Sequence, residues 1–367
     1  MYTAESVTIG HPDKLCDQIA DNILTAYLKE DENSRVACEV CAYSTGILVM
    51  GEITSKGNID VEKIVRDTII SIGYDNDSLG FNGNNCEVII KLNKQSSDIA
   101  LGVDNDGAGD QGMMFGYATN ETDNYMPLPS YYANKLCERL EYVRKNNIIS
   151  YLRPDGKAEV TLSYNPLKIK NIVVSTQHNE IDIEVLREDI KKYVIEEVIP
   201  KELLTDAIIF INPTGRFVIG GPVGDSGLTG RKIIVDSYGS ASHHGGGAFS
   251  GKDYTKVDRS GAYYARYVAK NLVAASLCDK IEVGVSYAIG VKYPTSVTIN
   301  TFNTNKIEEN KIIDIINKVF DFSPKNIIEE LDLKHLNYKD TTCYGHFGKE
   351  NLSYEKLNKV EIIKSML

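Results

Sequence analysis

Three times along the chain, two β-rich runs are followed by an amphipathic helical stretch, and this order limits how a core can close. Residues 35–53 read as two strands around Ser44-Thr45-Gly46, followed by a helix over 60–73 and a strand over 86–92. The order returns with strands over 158–164 and 171–178, a helix over 181–199 and a strand over 207–213. It begins again with strands over 280–290 and 295–302 and a helix over 308–320. The first strands start near residues 35, 158 and 281, a period of about 123 residues, which is the size of a domain rather than of a solenoid repeat. The pattern predicts an α+β fold of three units, each a mostly antiparallel sheet with helices on one face. The units are expected near 1–100, 101–222 and 223–367.

Two further helices concern chemistry. After His11, the stretch 12–28 puts Leu15, Ile19, Ile23 and Ala26 on one face, with Pro12 suited to the first helical position. His11 and Asp13 then sit at a helix start, where anions are favoured. The stretch 258–277 has the same small and apolar spacing and follows the glycine-rich run His243 to Ser260.

Within that run, Gly246 to Lys252 fits GxxxxGK, preceded by a predicted strand over 231–238 and followed by the helix. Asp253 stands where a P-loop needs a hydroxyl for magnesium, so a Walker-type fold is not expected. Three glycines that let backbone approach an anion, with Lys252, Lys256 and Arg259, still point to phosphate. GAGDQG, 107–112, matches a dinucleotide fingerprint in letters only, because an acidic loop and not a buried strand precedes it. It is read as a tight turn presenting Asp110 and Gln111. Asp13 and Asp258 each open a helix beside a base, Lys14 and Arg259, which suits hard-oxygen ligation of a phosphate-bound magnesium.

The formal charge of -11 argues against a general nucleic-acid or membrane-surface binder, so an anionic ligand must meet a local basic cluster. No apolar run reaches a membrane span and the first residues lack a signal-peptide pattern, so a cytoplasmic location is expected. Seven cysteines fit a reducing compartment, and Cys38 and Cys41 are expected on opposite faces of a strand rather than on a metal.

GHPDK at 10–14, GAGDQGMMFGYATNETD at 107–123, LRPDGK at 152–157, INPTGRFVIGGP at 211–222, GDSGLTGRKIIVDSYG at 224–239, HGGGAFSGKD at 244–253, KVDRS at 256–260 and YGHFG at 344–348 carry a resemblance over nearly the whole chain. In this order they resemble the S-adenosylmethionine synthetases, or methionine adenosyltransferases. The resemblance implies three intertwined domains with pseudo-threefold symmetry. It further implies a homo-oligomer, commonly a tetramer of two dimers, with active sites between subunits. The implied reaction joins ATP to L-methionine and then cleaves the displaced triphosphate to pyrophosphate and phosphate.

Residue roles come from the same resemblance. His11 is implied at the ribose–triphosphate bridge, and Lys157, Arg231, Lys232 and Lys252 on the phosphates. Asp155 and Ala248 are implied in the ATP site, with Phe217 beside Arg216 at adenine and Asp110 and Asp225 near the sulfur and ribose. Glu52, Gln95, Asp225 and Lys256 are implied for methionine, Asp13 and Asp258 for a pair of magnesium ions, and Glu39 for potassium. One departure is the segment between Gln95 and Gly107, about five residues shorter than the family's usual loop over the site, which implies altered gating. Two other readings remain open at this point: a relative that mainly hydrolyses triphosphate, and a silent nucleotide-binding regulatory subunit.

Overall fold

A computed structural model describes residues 1–94 and 107–367. The first unit opens with strand β1 (Tyr2–Val7) and helix α1 (Pro12–Glu30), then a hairpin of β2 (Arg35–Tyr43) and β3 (Gly46–Thr54). Along β2 every second residue is buried, which sends Val36, Cys38, Val40 and Ala42 to the core and Cys41 to the other face. Helix α2 (Val61–Ile72) starts on Asp60, whose side chain accepts the Lys63 amide, and stops at Gly73, whose φ of 114° breaks the helix. Strand β4 (Glu87–Asn93) then runs parallel to β3.

The second unit repeats the plan with β5 (Gly112–Thr119), α3 (Leu128–Lys145), the hairpin β6 (Leu152–Tyr164) and β7 (Leu167–His178), α4 (Ile183–Ile190), and β8 (Ile208–Ile211) parallel to β7. The third has β9 (Gly227–Leu228), α5 (Val257–Ala274), the hairpin β10 (Lys280–Tyr287) and β11 (Ser296–Asn300), and α6 (Glu309–Val319). Helix α3 is not among the elements anticipated from sequence, although its buried Ala133, Leu136, Cys137, Leu140 and Val143 have helical spacing.

The sheets interleave in a cycle. β1 precedes the first hairpin but pairs with β6 of the second, β5 precedes the second but pairs with β10 of the third, and β9 precedes the third but pairs with β2 of the first. The resulting orders are β4-β3-β2-β9, β1-β6-β7-β8 and β11-β10-β5. Separating any unit therefore breaks a backbone ladder. Each sheet carries a long helix: α1 on the first, α3 on the second, α5 on the third. The cores number two among the described residues. One lies under the second sheet, with Leu136, Val160, Ile172 and Leu186, and one is shared by the other two sheets, running from Ile19, Val40 and Val49 to Tyr263, Tyr267 and Val283.

One expected element is different. The β-branched run in 231–238 predicts a strand, but Ile233–Asp236 form a helical turn. Asp236 explains it: its side chain is buried against Lys14, and its carbonyl accepts the His346 amide at 2.8 Å. Tertiary pairing overrides the β propensity of Ile233, Ile234 and Val235.

Candidate active site

His11 caps α1, with Nδ1 accepting the Asp13 amide at 3.1 Å. That bond occupies the Nδ1 lone pair, so the neutral ring carries its proton on Nε2. His11 is 2% exposed. Burial first, then the charge of Lys232, pushes its pKa down to about 3, with Lys157 and Lys14 adding and Asp13 opposing. At neutral pH His11 is thus an uncharged N–H donor. Burial works to raise the Asp13 pKa, yet bonds from Lys232 Nζ at 2.8 Å and the Leu228 amide at 3.0 Å hold it below the usual range. Arg231 Nη1 stands 3.5 Å from Asp13 Oδ1.

Asp17 and Asp21 continue this acid at helical spacing along α1. Asp17 accepts the Gly230 amide and Lys14 Nζ, both at 2.9 Å. Asp21 accepts the Gly251 amide at 2.9 Å and a two-pronged Arg259 at 2.7 and 3.0 Å. Lys14 also bonds Asp236, whose pKa burial pushes up to about 7. The three carboxylates therefore hang the backbone at 228, 230 and 251 from one helix face, each with a cation that offsets its desolvation. Sequence reading missed Asp17, Asp21 and Asp236. The spacing of Asp13, Asp17 and Asp21 was a visible signal, but the backbone amides they hold lie more than two hundred residues away. Lys14 and Arg259 also correct an expectation: neither serves the helix-start acid beside it. Both turn inward, and Asp13 and Asp258 take loop lysines instead.

The second helix start repeats this on α5. Lys252 Nζ lies 2.6 Å from Asp258 Oδ2. Lys252 does not open a helix as in a P-loop, because the Cys38 amide bonds the Gly251 carbonyl at 2.9 Å and Ala37 bridges Lys252, which ties this turn to β2. The glycines serve packing more than the sequence suggests. An added Cβ at Gly245 would lie 1.5 Å from the Met113 carbonyl oxygen, and one at Gly247 would lie 2.3 Å from the Asp258 carboxylate. Gly246, at φ 98°, gives its amide to His244 Nδ1 at 2.8 Å. Asp253, the residue that breaks the P-loop pattern, is a buried anchor. Its Oδ2 accepts the Val36 amide at 2.7 Å and Lys256 Nζ at 2.8 Å, so it positions Lys256.

Around His11, Lys157 sits opposite Val7 in the β1–β6 ladder, and its charge is felt at the ring. Asp155 is buried and accepts the Gly221 amide at 2.8 Å; burial pushes its pKa up to about 6, and the nearby Asp225 adds to that. Gln177 links Asp155 to the Phe217 segment by accepting the Asp155 amide at 3.4 Å and donating to the Val218 carbonyl at 3.0 Å. Arg216 stands apart, ion-paired with Glu180 at the surface.

The outer face of the first sheet collects more of the expected residues. Cross-strand pairing puts Lys252, Ala37, Glu52 and Asn93 in one row and Glu39, Met50 and Lys91 in the next. Glu39 accepts a hydrogen bond from Thr229 Oγ1. Ala248 lies against Gly230, and Asp110 is exposed with Oδ1 accepting the Gln111 amide at 2.8 Å. Gln95 and the shortened 95–106 segment lie outside the described residues. Among the described residues, no hydrogen bond or ion pair joins Asp13–Lys232 to Asp258–Lys252. Their anchor points on β2, Cys41 opposite Leu228 and Ala37 opposite Lys252, are roughly 13 Å apart along the strand.

Among the described residues, no three His, Cys, Asp or Glu gather as a metal cage. Single carboxylates at Asp13 and Asp258 are the donor set that suits magnesium arriving on phosphate oxygens. Fold and site together define a class: interleaved α+β units whose ammonium–carboxylate pairs at two helix starts suit a metal-chelated polyanion. Family models for the N-terminal, central and C-terminal domains of S-adenosylmethionine synthetase match residues 1–97, 105–217 and 219–356. The chain belongs to the S-adenosylmethionine synthetase family. It is 55% identical over 388 aligned residues to the S-adenosylmethionine synthase of Clostridium botulinum, covering 100% of this chain and 99% of that protein. The synthase of Finegoldia magna is 55% identical over 386 residues, covering 100% and 98%, and that of Clostridium tetani 53% over 388, covering 100% and 99%.

Proposed function

We infer that this chain transfers the adenosyl group of ATP to the sulfur of L-methionine and cleaves the displaced triphosphate to pyrophosphate and phosphate. The observation that carries the reading is His11, a buried neutral donor that feels the positive charges of Lys232, Lys157 and Lys14. A thioether has no proton to lose, so the transfer needs no general base; it needs alignment and a stabilised polyanionic leaving group. The sulfur lone pair forms the bond to C5′ while the C5′–O bond breaks, and His11 Nε2–H is suited to bond that leaving oxygen. Lys157, Arg231, Lys232 and Lys252 are proposed on the phosphates. Magnesium bound with the triphosphate, beside Asp13 and Asp258, would neutralise its charge, and potassium is proposed at Glu39.

Phe217 is proposed against adenine, with Asp155, Ala248 and Asp225 lining the nucleotide. Arg216 joins them only by leaving Glu180. Asp110 is proposed near the sulfur, and Glu52, Gln95, Asp225 and Lys256 at methionine. A second copy is proposed to complete each site, in a dimer or a tetramer of dimers. Supporting this, the sheet face that carries Glu39 and Glu52 leaves Met50 38% exposed, and Met113, close in sequence to Asp110, is 54% exposed. Unit boundaries are proposed near 100 and 222. Altered gating by the short 95–106 segment is proposed as well, testable by grafting a longer loop and measuring turnover. No helix among the described residues is long and apolar enough to cross a membrane. A cytoplasmic location is proposed because both substrates are found there.

The deciding experiment incubates the protein with ATP, methionine, magnesium and potassium and monitors the sulfonium product by mass spectrometry. Methionine-dependent product is expected. Triphosphate cleavage alone would favour a hydrolytic relative, and no turnover of either kind would favour a silent nucleotide-binding subunit.

A further inference from the structure

The YGHFG string at 344–348 has no part in the chemistry described so far, yet its histidine is fully buried. Resting on the reading that Lys232 holds phosphate, we infer that His346 is a positioning residue whose Nε2–H steadies the Asp236 turn and, through it, Lys232. The donors on the page fix the ring's tautomer. Arg259 Nε can only donate, so the Tyr263 hydroxyl accepts from it at 2.9 Å. That leaves the hydroxyl proton for His346 Nδ1, 2.7 Å away. Burial first, then the charges of Arg259, Lys14, Lys349 and His244, hold the His346 pKa well below the usual histidine range, so the ring is neutral. With Nδ1 accepting, its one proton is on Nε2.

His346 Nε2 is buried without a hydrogen-bond partner among the described residues, and Asp236 Oδ1 stands 3.9 Å from it. A buried donor is costly to leave unpaired, and a gap of this size is closed by one bridging water or by a shift of about 1 Å. Asp236 needs such a donor. It shares a single ammonium, that of Lys14, with the equally buried Asp17, and Asp17 takes the Gly230 amide as well, at 2.9 Å. Residue 346 also grips Asp236 by the main chain, its amide donating to the Asp236 carbonyl at 2.8 Å. Asp236 ends the turn that follows Lys232, and its own amide closes that turn on the Lys232 carbonyl at 2.8 Å. The place of Asp236 therefore sets the place of the Lys232 backbone, from which Nζ reaches Asp13 at 2.8 Å. His346 thus joins this turn to Tyr263 and Arg259 of α5, and it acts on the phosphate through Lys232.

The test separates the two ring nitrogens. A glutamine amide reaches as far as Nε2, whereas an asparagine amide reaches only as far as Nδ1. His346→Asn is expected to lower kcat/KM for ATP in sulfonium formation by about tenfold, and His346→Gln to stay within about threefold of wild type. Tyr263→Phe frees the ring to carry its proton on either nitrogen and is expected to lose about threefold. Each substitution is repeated in Lys232→Gln, where a residue that acts through Lys232 has nothing left to act on, and there each is expected to cost less than about twofold. Equal losses for Asn and Gln, no loss for Asn, or the same loss with and without Lys232 would reduce His346 to a packing residue and end the inference while the phosphate reading stands. Should circular dichroism show that His346→Asn does not fold, the Tyr263→Phe and Lys232→Gln cycle decides by the same criterion. If Lys232→Gln uses ATP as well as wild type does, the phosphate reading falls and the inference with it.

Discussion

At the start of α1, Asp13 is 1% exposed and bonded on both oxygens, whereas at the start of α5 Asp258 is 20% exposed with one bonded oxygen. Both are the second residue of a helix, both precede a buried base, and both face a lysine from a glycine-containing loop. The matching position of the third long helix, in α3, is Pro129, and no acid stands in its first turn. One structural position repeated by pseudo-symmetry has thus become a rigid charged site, a yielding one and a silent one. Burial makes the difference, since the same pair is strongly held in the interior and weakly at the surface.

The largest expected effect breaks the α1 site. His11→Ala should reduce sulfonium formation by about a hundredfold to a thousandfold, the usual loss for one preorganised donor. Retained circular dichroism with little loss of product would remove His11 from the chemistry. The comparison of the pairs comes next. Lys232→Ala leaves a buried carboxylate short of its partner and should lower unfolding free energy by roughly 3 kcal/mol, while Lys252→Ala should cost under about 1 kcal/mol. Equal urea midpoints for the two variants would show that burial does not separate the sites.

A pH series sharpens the same contrast. His11 has a folded pKa of about 3 against 6.5 unfolded, so between those values the unfolded chain binds a proton that the folded chain refuses. Its contribution to stability is full above pH 6.5 and is lost as pH falls toward 3. Subtracting the unfolding curves of His11→Gln from those of wild type should reveal this slope, and a flat difference would mean the ring is not held neutral by the fold. The smallest effect concerns α5. Gly247→Ala pushes a Cβ onto the Asp258 carboxylate and should raise the magnesium concentration needed for tripolyphosphate binding by about tenfold with little change in melting temperature.

The hairpins were legible because alternating Val36, Val40 and Ala42, or Val160, Ile172 and Val174, write a two-residue period that only a half-buried strand satisfies. Helix α1 was legible from Pro12 and its apolar spacing. Helix α3 went unread because tyrosines and charges surround its apolar stripe, and 231–238 was misread because its conformation depends on Asp236 meeting Lys14. The glycine run was legible as a place of close approach, but not what approaches: Met113 and Asp258, rather than a ligand alone.

By itself the sequence determined the three-unit α+β plan, the helix starts at His11 and Asp258, and the motifs that mark the family, because these are local periodicities and fixed strings. Only the tertiary structure decided which unit receives each leading strand, that Lys232 and Lys252 rather than Lys14 and Arg259 meet the two acids, and that Asp17 and Asp21 carry the loops at 230 and 251. The reason is physical. Charges choose partners by proximity and by desolvation, and both are properties of the packed chain, whether the partner lies six residues away, as Lys252 does from Asp258, or 219, as Lys232 does from Asp13.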